Sequence, residues 1–326
     1  MIRLPEHFAR ASRQDWLLFL HFSLQEINDF EQQEKGVISM KRDIKREMTD
    51  RIIEAIESGD TNVTKRWTNT LVRTGMPYNI TTGKAYSGGN VIMLLTRMDG
   101  YEHNAWITYQ QAKDLGAQVR KGEKGVALVH YNIHEKEDED GNVQKIPFAK
   151  AFTVFNIAQV DNLPEKLAPK LPEGVFVHEQ FTALVNYLKV DVRDGGDRAY
   201  YSARGDYIGM PRHSQFNSHE LYVATLCHEL IHWTGAPARL NRTIESSWGS
   251  EEYAFEELVA ELGSAFICGH LRIEEQTIQG NAGYIEAWLQ ILKNDKNAIF
   301  RAAKLAGEAF DYLVNALYAS LLKQAA

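Results

Sequence analysis

The amino-acid sequence predicts an α+β protein of two domains, a mixed α/β amino-terminal domain followed by a mainly helical domain with a small sheet. The 326 residues, 44% hydrophobic and 10% aromatic, suffice for two cores. Apolar periodicity turns from helical to alternating after Gly116 and returns to helical from about Ser218 to the end. Between these regions Asn162–Glu173, with Pro164, Pro169 and Pro172, reads as a linker. The expected divisions are an extension over 1–47, a domain over 48–163, a linker over 164–174 and a domain over 175–326.

Taken in order, Asp15–Phe30 is patterned as a short amphipathic helix, and Met48, Ile52, Ile53 and Ile56 mark a second that ends near Gly59. The apolar run Val91–Leu95 fits strand or helix equally well. Thr108-Tyr-Gln-Gln111 has the form of a capping box, so a helix should run from about 108 to 115 and stop at Gly116. Gln118–Arg120, Val126–His134 and Phe148–Ile157 read as strands joined by the turn Lys121–Gly125 and an acidic loop at Glu135–Asn142. In the second half the pattern predicts a helix near Glu179–Leu188 and short strands at Ala199–Ser202 and Tyr207–Met210. Another helix should be capped by Asn217 and stopped by Gly235.

Net charge is -7, unevenly spread: residues 61–130 hold nine Lys/Arg against four Asp/Glu, and residues 220–326 hold eight against fourteen. A polyanion would therefore meet the amino-terminal half. Cys227 and Cys268 are too few for a disulfide framework and suit a reducing compartment. The early apolar run Trp16–Leu24 is shorter than a membrane span and lacks a cleavage pattern, so a cytoplasmic protein with no membrane partner is expected.

Cys227-His-Glu-Leu-Ile-His-Trp233 should lie within one helix, where the i, i+4 spacing puts His228 and His232 on one face with Glu229 beside them. Two imidazoles one turn apart suit one zinc ion per chain, and a hydrolytic site needs a third protein ligand that leaves one position open. Phe255-Glu-Glu-Leu-Val-Ala-Glu261 supplies it on a second helix. Glu257 is the preferred ligand, with Glu256 and Glu252 competing. Glu261, one turn on, would then accept the free N–H of a ligating histidine. Such a site hydrolyses peptides: zinc supplies Lewis acidity and Glu229, as general base, takes a proton from water. Tyr200, Tyr201 and Tyr207 are candidate donors to the carbonyl oxygen. The protein substrate is unidentified.

Residues 65–125 interleave cations with rings, among them Lys65, Arg66, Arg73, Tyr78, Lys84, Trp106, Tyr109, Arg120, Lys121 and Lys124. Rings that stack on bases and cations that follow phosphates hold single strands without reading sequence. The turn at Lys121–Gly125 is too short for a nucleotide phosphate loop.

Several motifs go beyond this chemistry: Gly75-Met-Pro-Tyr-Asn79, Thr82–Asn90, Trp106-Ile-Thr-Tyr-Gln-Gln-Ala112, Gly116–Gly125, Asp206-Tyr-Ile-Gly-Met-Pro211, Thr225–Gly235, Arg239-Leu-Asn-Arg242 and Tyr253–Glu261. With these the chain resembles ArdC-type antirestriction proteins of conjugative plasmids and related phage proteins from about residue 48 to 320. The resemblance implies an amino-terminal domain that binds single-stranded DNA and a zincin-like metallopeptidase domain, in a protein that helps entering DNA escape host restriction. Two other readings remain open: a DNA-coating protein whose zinc is structural or vestigial, and a regulatory peptidase that cleaves one transcription factor. Residues 1–39 lie outside the resemblance and are expected to be dispensable.

Overall fold

The structure, a computed structural model, describes residues 44–57, 63–98, 100–137, 143–167, 169, 178–242, 250–273 and 282–325. The helix expected at Asp15–Phe30, much of the linker and the centre of the acidic loop lie outside them. Residues 43–129 and 151–326 belong to one compact unit; the described part of the other is strand, 130–137 and 143–150.

Helix α1, Ile44–Glu57, buries Ile52, and Thr49 donates through Oγ1 to the Lys296 carbonyl at 2.8 Å. Helix α2, Val63–Thr74, follows. Its Trp67, Leu71 and Val72 form one buried stripe, with Arg66, Asn69 and Arg73 exposed on the other side. Strand β1, Tyr78–Asn79, leads by an exposed loop to helix α3, Gly89–Leu95. All five apolar residues of α3 are buried, which is why periodicity could not assign it.

Strand β2, Ala105–Thr108, runs straight into helix α4, Tyr109–Asp114. Thr108 accepts from the Gln111 backbone N–H at 3.2 Å, and the Thr108 backbone N–H donates to the Gln111 side chain at 3.0 Å, closing the expected capping box. Gly116, at φ 74°, takes the left-handed conformation that ends the helix. Then come β3, Gln118–Val119, β4, Val126–Glu137, β5, Val143–Asn156, and β6, Val160–Asp161. Strands β1, β2, β5 and β4 form one sheet in that order, with Trp106 opposite Asn156, and β3 pairs with β6.

Helix α5, His178–Leu188, precedes a sheet ordered β7, β9, β8: Val192–Asp194, Tyr207–Met210 and Tyr200–Ser202. Four further helices follow: α6, His219–Thr234, α7, Glu251–Leu271, α8, Ala282–Asn294, and α9, Ala298–Ala325. Ser218 rather than Asn217 caps α6, accepting from the Leu221 N–H at 3.1 Å, and Gly235 ends it.

Helix α7 is the centre of the main core: α2, α6, α8 and α9 all pack on it. At Gly263 a Cβ would stand 2.8 Å from Ile231 Cδ1, and at Gly269 one would stand 2.4 Å from Leu71 Cβ. Glycine therefore sets the close approach of α7 to α6 on one side and to α2 on another. Leu71 and Ile92, from before the proline-rich stretch, and Leu230 and Phe266, from after it, share one hydrophobic cluster.

Candidate metal centre

The site forms where α6 and α7 meet. His228 and His232 are one turn apart on α6, and their Nε2 atoms face each other at 3.2 Å. From α7, Glu257 places Oε2 3.5 Å from His228 Nε2 and Oε1 3.5 Å from His232 Nε2. Donor atoms of these three residues lie within 4.8 Å of one another, the one such group of three among the described residues.

The other ring nitrogens turn to carboxylates. His228 Nδ1 lies 3.6 Å from Glu261 Oε1, and His232 Nδ1 lies 3.3 Å from Glu256 Oε1. With a proton on each Nδ1, both Nε2 atoms present lone pairs to one point beside a carboxylate. That donor set fits a divalent cation with nitrogen and oxygen preferences, and it leaves room in the coordination shell for water or substrate.

Without an ion, protons take its place. Burial opposes a charge on His232, but the hydrogen bonds and negative charges of Glu256 and Glu257 outweigh it and raise the pKa to about 10. His228 moves the same way, burial being overcome by Glu257 and Glu261. Glu257 is held well below the usual carboxylate range, its burial outweighed by the two histidines. Glu229 is buried and goes the other way: burial lifts its pKa, with His228 and His232 pulling it down and Glu257 pushing it up.

Glu256 competes with Glu257 as a ligand on helix spacing alone. Its carboxylate is instead taken up by His232 and by Arg242, which donates Nη2 to Oε1 at 2.9 Å and Nε to Oε2 at 3.2 Å. Glu252 is exposed. The tyrosines considered as donors to the carbonyl oxygen are engaged elsewhere. Tyr201 donates its hydroxyl to Asp206 at 2.8 Å, and Asp206 also pairs with Arg239; the Tyr200 and Tyr207 hydroxyls bond each other at 3.2 Å.

The basic and aromatic residues of the first half divide by exposure. Arg66, Arg73, Lys84, Tyr109, Arg120, Lys121 and Lys124 are exposed, and Lys65 and Tyr78 are half-buried. The Arg120 guanidinium is already committed, to Asp161 at 3.2 Å and Glu123 at 3.0 Å. Trp106 corrects the expectation of an exposed stacking ring. It is wholly buried, edge-on to Tyr101, and its indole N–H donates to Asn104 at 2.8 Å, because its face of β2 packs into a core cluster with Met93, Leu94, Met98 and Val154.

A helix that presents two histidines and a glutamate, backed by a carboxylate from the next helix, defines a zincin-like metallopeptidase domain. The family model of that description matches residues 179–305, and the model for the N-terminal domain of the anti-restriction factor ArdC matches residues 42–155. The crystal structure of the antirestriction ArdC protein from plasmid R388 in its metal-free form is 41% identical. It superposes with a TM-score of 0.72 over 85% of this chain and 98% of that one. The Mn(II)-bound form of the same protein gives 40% identity and a TM-score of 0.71. The chain belongs to the ArdC-type antirestriction family. It is also 37% identical to the uncharacterized protein y4eC of Sinorhizobium fredii (strain NBRC 101917 / NGR234), over 83% of this chain and 91% of that protein. A DNA primase TraC of Escherichia coli is 34% identical over 84% of this chain but only 27% of its own length. Among the described residues no helix is long and apolar enough to cross a membrane.

Proposed function

We propose that this protein is a cytoplasmic antirestriction factor that holds single-stranded DNA through residues 48–163 without reading its sequence and carries a zinc-dependent peptidase site. The observation that carries the hydrolytic part is the meeting of two Nε2 atoms and the Glu257 carboxylate at one point, with Glu229 buried beside them. His228, His232 and Glu257 would hold one zinc ion, which when bound would supply Lewis acidity toward a carbonyl and lower the pKa of water. Glu229, whose pKa burial raises, takes a proton from the attacking water and returns it to the leaving amine. Glu256 holds the His232 imidazole in the tautomer that a ligand needs, and Glu261, 3.6 Å from His228 Nδ1, is placed to do the same for His228. The substrate is a protein segment with an unfolded or extended stretch, since a scissile bond must reach a site set between two helices.

For the DNA part, the exposed cations Lys84, Lys121 and Lys124 together with the exposed ring of Tyr109 support contact with phosphates and a stacked base. Belonging to a family of antirestriction proteins makes incoming DNA the natural ligand. The test is a Glu229→Gln variant, assayed for metal content, single-strand binding and proteolysis of host restriction components. The expected outcome is one zinc per chain, unchanged DNA binding and no cleavage. Cleavage at the wild-type rate would refute the role of Glu229, and a zinc-free wild type would refute the site.

A further inference from the structure

We propose that Arg242 is a positioning residue of the metal centre, clamping Glu256 so that this carboxylate serves His232 and leaves Glu257 to the ion. The inference rests on the zinc reading above and extends it to residues outside the ligand set.

Glu256 and Glu257 are adjacent on α7, and both lie within reach of His232: Oε1 of Glu256 is 3.3 Å from Nδ1, and Oε1 of Glu257 is 3.5 Å from Nε2. Two neighbouring carboxylates next to a cation would compete for it unless one is held. Arg242 does the holding. Its Nε stands 3.3 Å and 3.2 Å from the two oxygens of Glu256, and Nη2 stands 2.9 Å from Oε1. The remaining donors are fixed by α6 itself, Nη2 by the Ile231 carbonyl at 2.6 Å and Nη1 by Thr234 Oγ1 at 3.0 Å. The planar fork therefore ties the carboxylate to the end of the helix that carries both histidines, a geometry that a lysine ammonium does not reproduce.

Both side chains of the pair are buried, 4% and 7% exposed. A buried ion pair gives little stability against a well-packed apolar pair, so its presence beside the ligands is better explained by what it orients. The loop that delivers Arg242 is closed on α6 by backbone bonds, with the Arg242 N–H on the Gly235 carbonyl at 2.8 Å and the Leu240 N–H on the Thr234 carbonyl at 2.9 Å. Arg242 therefore reaches Glu256 from a fixed base.

The experiment measures zinc affinity by competition with a chromophoric chelator for the full-length wild type, Arg242→Gln, Glu256→Gln and the double variant, with circular dichroism on each. Arg242→Gln should weaken zinc binding by about 10–100-fold, the range for residues that orient a metal ligand. Because the effect passes through Glu256, Arg242→Gln should cost no more than about twofold when added to Glu256→Gln. If Arg242→Gln does not fold, Arg242→Lys keeps the charge without the fork and should lose about threefold to tenfold. Wild-type affinity in a folded Arg242 variant overturns the proposal. So does an equal loss in both backgrounds, which would mean that Arg242 merely supports the end of α6. A wild type that binds no zinc fails earlier and in a different protein, taking the zinc reading and this inference down together.

Discussion

Replacing Gly269 by alanine tests whether α2 and α7 belong to one core. A Cβ there would lie 2.4 Å from Leu71 Cβ and 3.4 Å from the Leu71 carbonyl carbon. Ordinary contact begins near 3.4 Å, so one helix must withdraw by about 1 Å in a close-packed interior. Leu71 is fully buried, and Arg272 donates to the neighbouring Val72 carbonyl, so α2 has little freedom to give way. Overpacking of this kind costs about 1–3 kcal/mol, while alanine regains roughly 1 kcal/mol of helix propensity, which leaves a net loss of up to about 2 kcal/mol. Gly307 of α9 is the control: its added Cβ would meet nothing closer than the Gly88 nitrogen at 3.6 Å. Gly307→Ala should therefore stabilise by about 0.5–1 kcal/mol. Urea denaturation followed by far-ultraviolet circular dichroism separates the two, and Leu71→Gly, which removes the clashing Cβ, should cost less in the Gly269→Ala background than alone. Equal stability of the two glycine variants, or strict additivity with Leu71→Gly, would refute a shared core at this crossing.

Three further outcomes follow from the site and the sheet. Glu256 and Glu257 raise the pKa of His232 to about 10, and Glu257 and Glu261 raise that of His228, so zinc has to compete with protons for both rings. Zinc affinity should rise with pH between 6 and 8 with at least one proton released per ion, measured by calorimetry in buffers of different ionisation enthalpy; pH-independent affinity would contradict the site. Trp106→Ala should destabilise by about 3–5 kcal/mol, visible as a lower melting temperature, whereas Tyr109→Ala should weaken single-strand binding with an unchanged melting curve. Replacing Lys121 and Lys124 should flatten the dependence of DNA affinity on salt by roughly 0.7 per lost phosphate contact, and replacing Arg120, already paired with Asp161 and Glu123, should flatten it less.

The parts legible in the sequence were those with local causes. The capping box at Thr108 and Gln111, the stop at Gly116 and the i, i+4 histidines each depend on residues within a turn or two of one another. The preference for Glu257 over its neighbours also rested on helix spacing, and the structure brings that residue to both imidazoles. What escaped depends on distant partners. The role of Glu256 is set by Arg242, fourteen positions earlier and on another element. Trp106 reads as an accessible ring, but Met93 and Leu94 of α3 and Val154 of β5 share one buried cluster with it. The apolar stripe of α2 is a local pattern, but the surface it packs on, α7, lies about two hundred residues on.

The glycine crossing also bears on how far this protein can be treated as interchangeable modules. The two family matches end at residue 155 and begin at residue 179, which invites exchange of whole halves between relatives. Yet Leu71 from the first half seats on Gly269 from the second. A chimaera cut at the proline-rich stretch would join an α2 surface from one parent to an α7 surface from another. Hybrids should fold only when the residues facing each other at this crossing come from the same parent, or from parents with a glycine at the position of Gly269 and a matching side chain at the position of Leu71.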